Sequence, residues 1–132
     1  MSETIPTIRL HLWLDTEDGV FFGSGRAQLL EEIERHGSLK SAAEAMGISY
    51  RAAWGKLKQT ETVLGVRLVQ TRGSNKSGFE LTEDGRMLKD LFRRWFDAVE
   101  AAALEKARDI FPWPAQAFRD RKAGSEGAGG SA

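Results

Sequence analysis

Hydrophobic and polar positions change period several times along the chain, and each change marks an element. From Ile8 to Leu14 they alternate, with Ile8, Leu10, Leu12 and Leu14 on one side and Arg9, His11 and Trp13 on the other. That two-residue period is the signature of a half-buried strand. Asp15 to Gly19 is rich in turn formers and Val20-Phe21-Phe22 returns as a second strand, so residues 5–22 predict a hairpin. Gly23 breaks it. Ser24 stands where an N-cap is expected, ahead of a helix that carries Leu29, Leu30 and Ile33 on one face and ends near His36-Gly37.

The next signals come close together. Ser38 can cap a short helix over Leu39–Met46, with Ala42, Ala43 and Met46 on one side, and Gly47 suits a left-handed turn residue. Ser49 can cap a second helix from Tyr50 to about Leu64, which Gly65 ends. Val66–Thr71 reads as a strand, Arg72–Gly78 as a loop and Phe79-Glu80-Leu81 as the partner strand. Thr82 caps a long helix over 83–109, with Glu83 and Asp84 in the first turn, where the helix dipole favours them. Its apolar stripe, through Leu88, Leu91, Phe92, Trp95, Phe96 and Val99, is wider than one domain face usually needs. Phe111-Pro112-Trp113-Pro114 stops it, and residues 112–132, Gly- and Ser-rich from Ala123 onward, are expected to form a flexible tail.

Two short helices joined at Gly47 have the layout of a helix-turn-helix, in which the first helix braces a second that can lie in the DNA major groove. Ala43 suits the close crossing, and Ile48, Ala53 and Leu57 would face inward. The expected fold is therefore mostly α with small β elements. It is a winged helix-turn-helix domain over residues 1–111, with an N-terminal hairpin, a helix-turn-helix at 38–64, a wing at 66–81 and a long C-terminal dimerisation helix.

Composition tests that picture. The 132 residues include no cysteine, which excludes disulfides, thiolate metal sites and thiol catalysis. Uninterrupted apolar runs are far shorter than a membrane span, and the first residues lack the basic start and apolar stretch of a signal peptide, so the expected location is cytoplasmic. Formal charge is zero, but unevenly distributed: residues 1–35 carry −4, residues 36–79 carry +5 and residues 80–132 carry −1. In the middle segment only Glu44 and Glu61 oppose Lys40, Arg51, Lys56, Lys58, Arg67, Arg72 and Lys76, so a neutral chain can still present a positive face. His11 and His36 have no acidic ligand suitably spaced, and no carboxylate pair stands in an apolar setting, so neither a metal site, a cofactor nor an enzymatic activity is expected.

The run His36-Gly37-Ser38-Leu39-Lys40-Ser41-Ala42-Ala43-Glu44-Ala45-Met46-Gly47-Ile48-Ser49-Tyr50-Arg51-Ala52-Ala53-Trp54 resembles the DNA-binding half of ModE-type molybdate-responsive regulators. The resemblance continues through Leu64-Gly65, Leu68-Val69 and Leu81-Thr82-Glu83-Asp84-Gly85-Arg86, covers roughly residues 5–108, and extends more distantly to the winged helix-turn-helix of LysR-type regulators. ModE-type regulators that sense molybdate carry a further binding region after the long helix. About two dozen residues follow Asp109, too few to build it, and the wing is shorter and poorer in glycine than the family's. The expectation is a sequence-specific DNA-binding unit without its own oxyanion sensor.

Candidate contacts follow from the docking geometry. Arg51 is the foremost candidate for base readout, because a guanidinium pairs bidentately with guanine. Ser49 and Tyr50, at the start of the same helix, are placed for phosphate or base contact. Trp54 is open between the groove-facing side and a bracing role. Lys58, one turn on, suits backbone phosphate, and Lys56 suits plain solvated charge. Thr71, Arg72, Asn75 and Lys76 sit at the wing, where phosphate contact positions a protein without reading sequence. Lys40 can also touch phosphate, whereas capping is the simpler role for Ser38. Leu10 and Leu12 on the first strand, with Leu88, Trp95, Phe96 and Val99 on the long helix, are the candidate dimer interface, and the expected partners are a second copy and a pseudo-palindromic double-stranded operator. The competing expectation is a protein-interaction adaptor on the same scaffold.

Overall fold

A computed structural model describes residues 5–73 and 78–118. Instead of the single domain expected over residues 1–111, the chain divides into two compact units, one over Leu12–Arg93 and the other joining the residues before Leu12 to those from Arg94 onward.

The larger unit begins with an antiparallel hairpin of β2 (Trp13–Thr16) and β3 (Gly19–Gly23). The alternation over Ile8–Leu14 predicts one strand, but the chain makes two. A separate β1 (Thr7–Ile8) pairs in parallel with β6 (Gln116–Ala117) in the other unit, so the hairpin occupies 13–23 rather than 5–22. A two-residue period reports which side chains share a face, not which backbone they pair with. Residues 112–118 are likewise not tail but carry β6, whose Gln116 N–H donates to the Pro6 carbonyl at 3.0 Å. Residues 119–132 lie outside the described chain.

Three helices follow: α1 (Ser24–His36), α2 (Leu39–Met46) and α3 (Tyr50–Leu64). Ser24 is the first helical residue and not the cap. Gly23, extended at φ −171°, holds that place without a side-chain hydrogen bond. The other caps are made as expected: Ser38 Oγ accepts from the Ser41 N–H and Ser49 Oγ from the Ala52 N–H, both at 3.0 Å. Each such cap is worth about 1 kcal/mol. The wing is β4 (Val69–Thr71) against β5 (Phe79–Leu81), in the register Val69–Leu81 and Thr71–Phe79. The strand expected from Val66 starts later because Leu68 is already committed. Its N–H donates to Glu61 Oε2 at 2.7 Å and its carbonyl accepts from the Thr82 N–H at 2.9 Å.

Helix α4 (Glu83–Ile110) starts where Thr82 Oγ1 accepts the Gly85 N–H at 3.0 Å and ends, as expected, before Pro112. The core of the larger unit is built from Phe22, Leu29, Leu30, Ile33, Leu39, Leu57, Leu68, Leu81 and Phe92, with Phe22 and Phe92 edge-to-face at 5.3 Å. Buried Ala42, Ala43 and Ala53 provide the small contacts that let α1, α2 and α3 approach closely. Among the described residues, no helix is long and apolar enough to cross a membrane.

Candidate nucleic-acid interface

The turn between α2 and α3 is set by backbone. Gly47 is left-handed at φ 71°, where a side chain would be strained, and its N–H donates to the Glu44 carbonyl at 3.1 Å. The Ile48 N–H returns to the Ala43 carbonyl at 3.0 Å. Ala53, Leu57 and Thr60 are thereby buried, and the opposite face of α3 is turned to solvent.

Arg51, Gly55, Lys58 and Thr62, at spacings of four, three and four, run along that outward face, and all are exposed. Arg51 makes no ion pair or side-chain hydrogen bond with another described residue, and a Cβ on Gly55 would meet nothing within 4 Å. The middle of the face is thus open and shallow. Tyr50 is 54% exposed at the first turn. Ser49 is exposed as expected, but its hydroxyl is occupied by the cap. Lys40, in the first turn of α2, is exposed as well.

Trp54 is held. Its indole lies parallel to the Phe79 ring, 6° between planes and 6.2 Å between centroids, which leaves it 38% exposed. Lys58 Nζ sits 5.2 Å from the indole centroid and 3.6 Å from Glu61 Oε1. Thr71 and Arg72 are exposed at the root of the wing, but the Arg72 guanidinium turns back, close against Gly37 and Gly78. The Arg72 N–H donates to the Gly78 carbonyl at 3.1 Å, and the Phe79 N–H to the Gly37 carbonyl at 2.9 Å. Asn75 and Lys76 lie outside the described residues.

Three bracing contacts escaped the sequence reading. Arg26 of α1 donates to the Val20 carbonyl at 3.1 Å and to Gln59 Oε1 at 2.8 Å, tying the hairpin and α1 to α3. Burial lowers the pKa of its guanidinium, which nevertheless stays charged. Glu61 spans Lys58 and the Leu68 N–H. Phe79, which its sequence pattern marks only as a strand residue, meets both Trp54 and the α1–α2 turn. Such pairings depend on which loops fold together, and no local period reports that.

On α4, Leu88, Phe96 and Val99 are half-buried, as are Leu10 and Leu12, while Trp95 is 38% exposed. Two residues outside the expected interface, Met87 and Leu91, are more exposed, at 53% and 49%. With Trp95 they stand at intervals of four along one helix face. No group of three or more His, Cys, Asp or Glu suited to a metal occurs among the described residues.

Comparison with known proteins agrees with this geometry. The chain is 35% identical over 82 residues to the molybdenum transport protein ModE of Azotobacter vinelandii, a match covering 61% of this chain and 30% of that relative. The matching region is thus less than a third of the relative's length. Among solved structures, the CbnR_DBD–DNA complex overlays with a TM-score of 0.52 at 21% identity, covering 64% of this chain and 93% of that one. The complex of BenM_DBD with benA site 1 DNA overlays at 0.53 and 17% identity, covering 67% and 96%. Both show a shared fold. Residues 25–86, from α1 through the wing to the first turn of α4, match the model of the bacterial regulatory helix-turn-helix proteins of the lysR family.

Proposed function

We propose that this chain is a transcriptional regulator that binds double-stranded DNA, with α3 lying in the major groove and the wing against the flanking backbone. The carrying observation is the outward face of α3, where Arg51 has no partner among the described residues beside the open position at Gly55. A guanidinium on a helix with its fork free has the planar donor pair that suits bidentate pairing with guanine. Tyr50 and Lys58 flank it, and Lys40 and Thr71 supply phosphate contacts that fix register, joined by Ser49 through the hydroxyl proton that the cap leaves free and by Arg72 through the charge it holds at the wing root. Asn75 and Lys76 belong to the same reading at the wing tip.

The working form is a cytoplasmic homodimer on a pseudo-palindromic site, joined through the α4 face of Met87, Leu91 and Trp95. Twofold symmetry would then place two recognition helices about 34 Å apart or a multiple of it. The match to the bacterial regulatory helix-turn-helix model supports a bacterial regulatory setting. No catalytic role is part of this reading, and no oxyanion site is assigned to the chain.

The same apolar face on α4 favours a second reading, an adaptor that binds another protein and leaves DNA alone. Electrophoretic retention across genomic fragments separates the two. Sequence-selective retention at low salt, weakened by added salt and lost in Arg51→Ala, supports the regulator. Absence of selective retention at low salt, with a stable complex formed by a non-self protein and broken by Trp95→Glu, supports the adaptor.

A further inference from the structure

We infer that Trp54 is a positioning residue that sets the wing against the recognition helix through its stack on Phe79, and does not read bases. The inference rests on the DNA-binding reading above and gives one of its candidate contacts a different task.

Phe79 is the point where the wing is held from two sides. Its backbone N–H is bound to the Gly37 carbonyl at the α1–α2 turn, and its ring lies parallel to the indole on α3. The other strand is fixed at its entry, where Leu68 N–H meets Glu61 Oε2, while Glu61 Oε1 faces the same Lys58 ammonium that sits over Trp54. The Arg72 guanidinium, close against Gly37 and Gly78, holds the wing's root to the same turn. Helix α3 thus engages both wing strands through side chains about two turns apart, Trp54 for β5 and Glu61 for the approach to β4, with Lys58 between them.

An indole is also poorly equipped for readout. It offers a single N–H donor and no acceptor, so it cannot make the two-point contact that distinguishes one base pair from another. To reach a base edge it would have to leave Phe79, forfeiting an aromatic contact worth about two- to ten-fold in an equilibrium constant. As a stacked plate, it transmits the angle of α3 to the wing, so that phosphate contacts on the flank and base contacts in the groove are made in one register.

The test uses the full chain with Trp54→Leu, Trp54→Phe, Phe79→Leu and the double Leu variant. In the free protein, amide exchange at Phe79 is expected to accelerate about two- to ten-fold in Trp54→Leu and to stay near wild type in Trp54→Phe, which keeps a ring on the ring. Unchanged exchange in Trp54→Leu overturns the inference while leaving DNA binding untouched. On DNA selected by the wild type, each Leu substitution is expected to weaken binding by a similar factor, with the double variant no weaker than either. Protection of flanking phosphates should fall while guanine protection in the groove persists. Fully additive losses, or a changed base preference in Trp54→Leu that Phe79→Leu lacks, overturn it. Should Trp54→Leu fail to fold, Trp54→Phe against Phe79→Leu decides: retained affinity in the first and loss in the second supports positioning, and loss only in the first overturns it. If the wild type retains no DNA selectively, the regulator reading fails, and the exchange measurement still decides the coupling.

Discussion

Gly85, in the first turn of α4, lies directly against the carbonyl of Leu68, so close that a Cβ there would press on the oxygen. That oxygen is also the acceptor for the Thr82 N–H, which joins the end of the wing to the start of the helix. Backbone occupies both sides of the contact, so neither can turn away as a side chain would. Gly85→Ala is expected to destabilise the protein by about 1–3 kcal/mol through overpacking, read as a lower midpoint in thermal or denaturant unfolding. Gly55→Ala is the control. It adds a methyl group to open space in a helix interior and should instead stabilise by about 0.5–1 kcal/mol.

Thr60 makes a second connection of this kind. The β2–β3 register shifts between Leu14 and Asp15, which leaves Phe21 without a partner across the hairpin. The Thr60 hydroxyl, 1% exposed on α3, donates to that Phe21 carbonyl and also approaches the Lys56 carbonyl. Thr60→Val preserves shape and removes the donor, leaving a bulged carbonyl unsatisfied. A loss of about 1–3 kcal/mol is expected, whereas Thr60→Ser should lose less because it retains the hydroxyl. Equal stability in all three proteins would remove the assigned role of the bulge.

The bulge and the Gly85 contact show where sequence stops informing. Local signals carry the helices well: Ser38, Ser49 and Thr82 announce caps that are made, Gly47 announces a left-handed turn, and Gly65 announces the end of α3, which it makes in the left-handed conformation. Those features depend on residues within one turn of each other. What escaped depends on segments distant in the chain. The pairing of Thr7–Ile8 with Gln116–Ala117 joins opposite ends, and an alternating pattern cannot name its partner. The same holds within the candidate site. The spacing placed Arg51 and Lys58 on an outward face, but the Trp54–Phe79 stack needs the wing to be folded back on α3. On α4 the wide apolar stripe did not reveal which edge the rest of the fold would cover, and it left Met87 and Leu91 exposed.

Lys89 gives a pH dependence with a definite sign. Its ammonium lies 2.8 Å from Glu34 Oε1 and 3.4 Å from Asp90 Oδ1, with its side chain only 18% exposed. The hydrogen bond to Glu34 raises its pKa above the ordinary 10.5, against an opposing effect of burial and with further help from the Glu34 and Asp90 charges. A group whose folded pKa is raised stabilises the fold fully below its unfolded value and loses that contribution as pH rises through the folded one. Wild-type stability should therefore decline on passing upward from about pH 10.5 by more than that of Lys89→Gln, as measured by denaturant midpoints across that range. A variant that declines as steeply as the wild type would show the ion pair to be without effect.

Arg51 and Lys40 should fail differently on DNA. If Arg51 pairs with a guanine, Arg51→Ala costs about 1–3 kcal/mol of discrimination and flattens base preference at one position of the site. Arg51→Lys should not restore it, since an ammonium lacks the planar fork. Lys40→Ala, removing a phosphate contact, should weaken binding evenly across sequences and reduce the slope of log affinity against log salt by about one. Titrations on matched and single-mismatch duplexes at several salt concentrations measure both effects. Uniform weakening by Arg51→Ala would move it from the readers to the phosphate contacts.

The exposed edge of α4 yields the last prediction. Met87, Leu91 and Trp95 present apolar side chains at 53%, 49% and 38% exposure along one helix face, an arrangement that costs solubility unless something covers it. A second copy fits, because an isologous contact matches the same stripe to itself and gives a regulator two recognition helices in fixed relation. Leu91→Glu places a charge in the middle of the stripe, where the matching contact of a twofold pair would bring the two carboxylates close together. Sedimentation is expected to show a dimer for the wild type and a folded monomer for Leu91→Glu, with affinity for a full palindrome falling toward that for a half-site. Asp90→Ala, at the neighbouring but polar and exposed position, should remain dimeric. A Leu91→Glu protein that sediments as a dimer would show that α4 is covered in some other way, and the search for the interface would pass to the exposed Ile110, Phe111 and Trp113 beyond it.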